Sequence, residues 1–302
     1  MKMKIFGFTT AIIFTMLISC CIRINITPDD DNYTKKISSG GTTVNIKKGE
    51  AGPMADSTIH IKGNYTELFA NYDMQIVIDA QTDNIVVKCE ADVMPYIDIY
   101  QKGNRLFVTY KPKSKINKHE RTQVLIPFQE LESVELEGSA DLHIQTPLTS
   151  RTFEADLSGS SLLDCKIENP SAIVEIEASG ASHLLFDGEI RSLDLDFSGA
   201  VHGIISPITV QNIEADLSGS STLSISGKAR RLEADLSGAA ALMGTDLLTQ
   251  IGDVELSGAS NMDINCVEWL TAELSGASTL NCVQRPKIAN ISKGIACDVN
   301  GN

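Results

Sequence analysis

From residue 132 onward, apolar and polar residues alternate in short bursts, and each burst keeps step with a glycine. The glycines are Gly138, Gly159, Gly180, Gly199, Gly219, Gly238, Gly258 and Gly276, at steps of 21, 21, 19, 20, 19, 20 and 18 residues. Two places before them stand Leu136, Leu157, Ala178, Phe197, Leu217, Leu236, Leu256 and Leu274; four places before stand Val134, Ala155, Ile176, Leu195, Ala215, Ala234, Val254 and Ala272. Phe153, Val174, Leu193, Ile213, Leu232 and Leu270 extend the pattern to the sixth place. Apolar residues at every second position predict a strand with one buried face. Leu142, Leu163, Leu184, Leu223, Leu242, Met262 and Leu280, four places after the glycine, begin a second strand. Between the two runs a Ser-Gly-Ala/Ser-Ser tetrad marks a tight corner, where glycine adopts a backbone that a Cβ disfavours. Stacked from copy to copy, its serines are placed to bond along the repeat.

Two strands and two turns in about 20 residues cannot bury their faces alone, so the copies must stack. The predicted fold is all-β: a right-handed parallel β-helix (solenoid) of about 20-residue coils with a less regular N-terminal β region. A β-propeller needs about 40 to 50 residues per blade, twice this period. Upstream, strands are predicted at Thr58–Lys62, Gln75–Asp79, Ile85–Lys88, Arg105–Tyr110 and Gln123–Ile126, with a turn at Lys102-Gly103-Asn104. They read as degenerate coils or a small sheet covering the first regular coil, because a solenoid end is a bare sheet edge. At the other end Arg285-Pro286 and the polar Asp298–Asn302 are expected to do the same. The chain divides into an export signal (1–20), a tether (21–56), a capping β region (57–131) and the repeat β-helix (132–302).

The opening residues fix the expected location. Lys2 and Lys4 precede an apolar run from Ile5 to Ile18, and Leu17-Ile18-Ser19-Cys20 matches a bacterial lipobox. The reading is a lipoprotein signal with lipidation at Cys20, which ties the mature chain to a membrane; the run is short of the roughly 20 residues of a spanning helix. Asp29-Asp30-Asp31 loosely matches the acidic run that sends some Gram-negative lipoproteins to the cell surface. The expected location is the outer membrane, facing the surface or the periplasm.

Charge adds one further pattern. The net charge is −14, and −16 once Lys2 and Lys4 leave with the signal. Three places before every repeat glycine the residue is acidic: Glu135, Asp156, Glu177, Asp196, Asp216, Asp235, Glu255 and Glu273. Five places before, Glu154, Glu175, Asp194, Glu214, Glu233 and Asp253 form a second column, both pointing away from the core. Within these, Glu154, Asp156, Glu175, Glu177, Asp194, Asp196, Glu214, Asp216, Glu233 and Asp235 form a candidate ladder for divalent cations, which take several carboxylate oxygens. Two other readings stand beside it: a surface for a polycationic partner, and a solvated face whose like charges oppose aggregation. No cofactor is expected beyond such cations. Lys111, Lys113, Lys115, Lys118 and Arg121 concentrate positive charge in one loop, and nucleic-acid binding does not fit so acidic and exported a chain.

Catalytic signals are sparse. Glycan-cleaving sites set carboxylates beside Arg, Lys or His in a groove, whereas Arg151, Lys166, Arg191, Lys228, Arg230 and Arg231 fall mostly between strands. His183 and His202 share a column without a third zinc ligand, and His143 lies two places further along in its own coil. Trp269 is the only Trp, and Phe153, Phe186 and Phe197 fall on inward columns, so aromatic platforms for sugars look scarce. Cys282 and Cys297, with Cys266 one coil earlier, allow a terminal disulfide, which exported proteins permit, but Cys165 and Cys282 occupy an inward column that favours a buried free thiol. No catalytic or cofactor-binding residue is assigned.

Segments such as Glu214-Ala-Asp-Leu-Ser-Gly-Ser-Ser221 and Glu233-Ala-Asp-Leu-Ser-Gly-Ala-Ala240 resemble the head GIN domain family of auto-transporter adhesins, over about residues 57 to 282. The resemblance implies an exported, often lipid-anchored β-helical protein of Gram-negative bacteria and carries over no catalytic or binding residue. The Gly-Ile-Asn tripeptide of the family name is absent; in its expected place stands Asn71-Tyr-Asp-Met-Gln-Ile76. The expected function is a non-enzymatic adhesion or scaffold module of the cell envelope, meeting the membrane through its anchor and host or envelope proteins or glycans through its surface. The alternatives are a glycan-binding or glycan-cleaving envelope protein and a periplasmic accessory that binds a protein partner.

Overall fold

The computed structural model describes residues 35–39, 42–46, 54–61, 63–112, 116, 121–294 and 297–301. The signal with Cys20, the neighbouring Cys21 and Asp29-Asp30-Asp31 lie outside the described residues. The chain forms two compact units, Met1–Gly52 and Pro53–Asn302. In the first, within the segment read as a tether, strands Lys35–Ser39 and Thr42–Ile46 pair antiparallel, with Ser39 opposite Thr42. Only Gly40-Gly41 stands between them in sequence.

The second unit is a parallel β-helix. Its inward residues stack in register: Ala155, Ile176, Leu195, Ala215, Ala234, Val254 and Ala272 face one another from coil to coil. All belong to one continuous buried cluster, together with Leu157, Leu217 and Leu236. Each coil has three inward-facing stretches rather than the two expected. In His202–Leu217, burial alternates strictly except at the outward pairs Ser206-Pro207 and Gln211-Asn212. An outward pair moves the alternation by one residue and so bends the chain around a corner, and the strand register shifts at the first of them. Leu148, Ile167, Ile190, Ile208 and Leu247 fill the third side. The two-strand reading missed this side because its apolar run is short.

The sharp corner is the tetrad. Gly219 has φ +71°, and a Cβ there would sit 2.5 Å from the carbonyl oxygen of Gly199 in the coil below. The same oxygen accepts the Ser220 N–H at 2.7 Å. Glycine is therefore required both for its backbone angle and for the close approach of the coils. The serine hydroxyls do not bond to one another. Those of Ser158, Ser179, Ser218, Ser257 and Ser275 reach main-chain carbonyls one coil down at 3.3–3.4 Å, a long secondary contact.

The N-terminal strands stack out of chain order. Glu67–Ala70 and Met74–Asp79 pair in parallel with Ser133–Leu136 and Asp141–Ile144. On their other side they pair with Arg105–Tyr110 and Thr122–Pro127. The coil nearest the first tetrad thus comes from residues 67–79, and the outer one from 105–127. Tyr72, with φ 65°, takes the corner where later coils have glycine, so Asn71–Ile76 does form the turn of that coil. Antiparallel strands finish the end: Ile97–Lys102 folds back on Arg105–Tyr110, and Ile85–Glu90 joins Thr122–Pro127 to Met54–Ile59. Glu67–Ala70 and Ile97–Lys102 escaped the sequence reading because each is short and mixes charged with apolar residues. At the other end, Ile288–Lys293 and Asp298–Gly301 pair as one further coil instead of covering the last one.

Candidate functional site

The outer face of the first side is the most regular feature of the surface. Glu154, Glu175, Asp194, Glu214, Glu233 and Asp253 follow one another in register, as do Glu135, Asp156, Glu177, Asp196, Asp216, Asp235, Glu255 and Glu273. Neighbouring strands in a sheet are about 4.8 Å apart. The sequence read these columns correctly, because strand alternation and a constant period leave no other arrangement.

Crowding moves their proton affinities. The charge of Asp194, then burial, then Glu233 hold the Glu214 carboxyl above the usual range. Burial leads for Glu175, Asp216 and Asp235, with carboxylates of adjacent coils next. Two arginines interrupt the repulsion. Arg231 bridges Glu233 and Asp253 at 3.1 and 3.4 Å. Arg105 bridges Glu67 and Glu135 at 2.8 and 2.7 Å at the N-terminal end, and it draws the Glu67 carboxyl below its ordinary value.

Beside the inner acidic column runs a trough floored by the tetrad serines. One stretch, of about 450 Å³, is lined by Asp196, Asp216, Asp235, Glu255 and Glu273 with Ser218, Ser237, Ser257 and Ser275. A second, of about 290 Å³, is lined by Glu135, Asp156 and Glu177 with Ser158 and Ser179. No Arg, Lys or His lines either stretch. Among the described residues no three His, Cys, Asp or Glu side chains come together closely enough to hold a metal ion. The ladder therefore presents spaced carboxylates rather than a coordination cage.

The remaining sequence candidates are dispersed. His183 and His202 do stack, with ring centroids 5.5 Å apart, and both are exposed. His143 instead contacts Asp164, Nδ1 to Oδ2 at 3.0 Å. Cys89, Cys165, Cys266, Cys282 and Cys297 are all free thiols, so the terminal disulfide that the sequence allows is absent among the described residues. Cys165 is buried, and burial pushes its thiol pKa well up. Lys113, Lys115 and Lys118 of the basic loop lie outside the described residues; Arg121 pairs with Asp141 and donates to the Ser139 carbonyl, securing the first tetrad corner.

One feature was missed entirely. Below Glu135 the inner outward column turns aromatic: Phe69 lies in register with Glu135, Phe107 with Phe69, and Tyr100 with Phe107. Phe69 and Phe107 have ring centroids 5.5 Å apart, and Tyr100 stacks on Phe107 at 4.8 Å and 7°. Tyr72 and Tyr110 form a second pair at 5.4 Å. Tyr100 and Tyr72 are exposed, and Asn104, in the turn that links the strands of Tyr100 and Phe107, bonds Glu67 at 2.6 Å. These rings come together only through the out-of-order stacking and the Gly103-Asn104 hairpin, and no sequence period announces either.

A family model described as "Putative auto-transporter adhesin, head GIN domain" matches residues 64–200 and again 164–286. The chain belongs to this head GIN domain family. Two overlapping matches follow naturally from a repeat fold, whose units superpose on one another when shifted by whole coils. Solved structures that resemble this chain include three from Parabacteroides. A putative adhesin from Parabacteroides distasonis ATCC 8503 shares 16% identity over 82% of this chain and 97% of its own, with a TM-score of 0.61. A putative lipid binding protein from Parabacteroides distasonis ATCC 8503 shares 14% over 82% and 97%, with a TM-score of 0.59. A putative adhesin from Parabacteroides merdae ATCC 43184 shares 14% over 82% and 96%, with a TM-score of 0.55. At such identities the likeness shows the fold. The search of curated proteins found no match.

Proposed function

We propose that this head GIN protein is exported, anchored through lipidated Cys20 to the outer membrane, and acts as a non-enzymatic adhesion or scaffold module. The observation that carries this reading is the monotony of its outer face. Every tetrad coil offers the same carboxylate in the same place, and the trough beside it pairs no carboxylate with a basic group. Acid–base catalysis needs unlike groups held together at one point; a repeated face instead suits many modest contacts whose effects multiply when engaged together. The names of two of the similar solved structures, the putative adhesins from Parabacteroides distasonis and Parabacteroides merdae, support the same reading. Two experiments test it. Palmitate labelling of cells should mark the wild-type chain and not Cys20→Ala. Externally added protease should then degrade the protein on intact cells and reduce their attachment. Complete protection from protease would place it inside the envelope and overturn the adhesin reading.

The aromatic stack favours a second reading, glycan binding. Phe69, Phe107 and Tyr100 offer ring surface of the kind on which the apolar C–H faces of a sugar stack. Glycan cleavage receives no such support, since Arg105, the basic group in that patch, is committed to Glu67 and Glu135.

A further inference from the structure

Basic residues gather at one edge of the later coils. The third side and the corner that follows it carry Lys228, Arg230, Arg231 and Lys287 there, whereas the same third-side column holds Glu168 and Glu189 in earlier coils. Across that corner one outward column reads Arg231, Ile251, Trp269 and Ile288 in consecutive coils, each in register with the next. On the third side Leu248 lies beside Lys228. Trp269 is 43% exposed, Ile288 46% and Leu248 41%. Single exposed apolar residues are ordinary, but Trp269 and Ile288 are exposed on neighbouring coils of one column, with the half-buried Ile251 before them and Leu248 three residues further back, and together they form a patch.

The acidic columns give way at the same place. In the outer column Asp253 is followed by Thr271 and Asn290, and in the inner one Glu273 is followed by Ser292. Of the acids near the patch, Glu268 is paired with Lys287 at 3.6 Å, while Glu233 and Asp253 are paired with Arg231. Asp246 is the remaining one, two residues before Leu248. Among the described residues no carboxylate pairs with Lys228 or Arg230. The chain is strongly acidic as a whole, yet this edge combines spare positive charge with an exposed indole and three aliphatic side chains.

We propose that this edge docks on an anionic lipid surface. Leu248, Trp269 and Ile288 enter the boundary between headgroups and acyl chains, and Lys228 and Arg230 meet lipid phosphates. An indole with one apolar body and one polar N–H settles at that depth, and apolar side chains flanked by Lys and Arg bind an interface in the same way. Charge complementarity selects the occupant, since anionic headgroups attract these cations. The inference rests on the envelope reading only in giving the protein access to lipid. Laid on a membrane by this edge, the module would be held close to its surface rather than hanging free on its tether.

Trp269 is the only tryptophan of the chain, so its fluorescence reports this edge and nothing else. Full-length protein is titrated with vesicles of phosphatidylcholine alone or with added phosphatidylglycerol. The expected result is a blue shift of Trp269 emission with the anionic vesicles, reversed by high salt. The apparent affinity should fall at least tenfold in the double variant Lys228→Glu, Arg230→Glu, with the melting temperature checked for both proteins. Ile288→Ser should reduce the shift without changing the charge. Vesicle binding without a blue shift would mean that the N-terminal anchor alone holds the chain, and it would overturn the proposal while leaving lipidation intact. An equal shift with phosphatidylcholine alone, or no shift with any vesicle, would overturn it as well.

Discussion

Asp216 stands in the middle of the inner acidic column, with Asp196 on one side and Asp235 on the other. Coils about 4.8 Å apart put unit charges at a repulsion of about 0.9 kcal/mol per pair in water. A Debye length of about 8 Å at physiological salt reduces that to roughly 0.5 kcal/mol. Asp216→Asn removes both pairs while keeping size and hydrogen-bonding capacity, so it should stabilise the solenoid by about 1 kcal/mol. For a unit of this size that corresponds to a rise of about 2–4 °C in melting temperature. The assay is thermal unfolding followed by circular dichroism at pH 7, in low salt and in 1 M sodium chloride. The gain should be largest in low salt and should nearly vanish in 1 M salt, where the Debye length is about 3 Å. Glu67→Gln is the counterpart: it breaks the Arg105 bridge and should lower the melting temperature under the same conditions. A stabilisation by Asp216→Asn that is indifferent to salt, or a loss of stability at both salt concentrations, would refute the reasoning from repulsion.

Other outcomes follow from the same geometry. Gly219→Ala forces a side chain into a left-handed backbone, costing about 1–2 kcal/mol, and into the Gly199 carbonyl 2.5 Å away; a melting temperature lower by several degrees should result. Because Glu175, Glu214, Asp216 and Asp235 titrate above their ordinary range, the folded chain keeps protons that the unfolded chain has released. Stability should therefore fall as pH rises through and just above the ordinary carboxylate range, giving a lower melting temperature at pH 7 than under mildly acidic conditions. Glu67, held below its range, works in the opposite sense and should cost stability only under more acidic conditions. If the aromatic stack binds glycans, Tyr100→Ala should weaken binding of neutral oligosaccharides at least tenfold in calorimetric titration, while Trp269→Phe leaves it unchanged.

The solenoid was legible because its determinants are local and repeated. Each coil carries its own copy of alternation, glycine corner and outward carboxylate, so eight weak signals add coherently from Gly138 to Gly276. The third side was not legible. Its inward residues, such as Ile208 and Val210, come in runs too short to show a period, and only the outward pairs at Ser206-Pro207 and Gln211-Asn212 betray the bends. The N-terminal coils were read as strands but not in their true order, since the partner of Ser133–Leu136 lies at Glu67–Ala70, across the whole of residues 85–127. Pairing at that sequence distance is set by packing, not by local propensity. The aromatic stack and the Trp269 edge share the same obscurity: in each, residues from separate coils form a surface that exists only once the coils are stacked. The cysteines follow the inward-column reading, with Cys165 and Cys282 free thiols, while the alternative of a terminal disulfide rested on closeness along the repeat, which does not supply bonding geometry.

The account depends on successive coils lying directly on one another. Spin labels placed pairwise on the inner acidic column measure this, with Asp156→Cys combined in turn with Asp235→Cys, Glu255→Cys or Glu273→Cys, and Cys282 replaced by serine in each. Four, five and six coil steps of about 4.8 Å predict label separations near 19, 24 and 29 Å, rising by one strand spacing per coil. Separations that fail to rise in this order, or that jump by more than a strand spacing between successive pairs, would contradict the stacked solenoid.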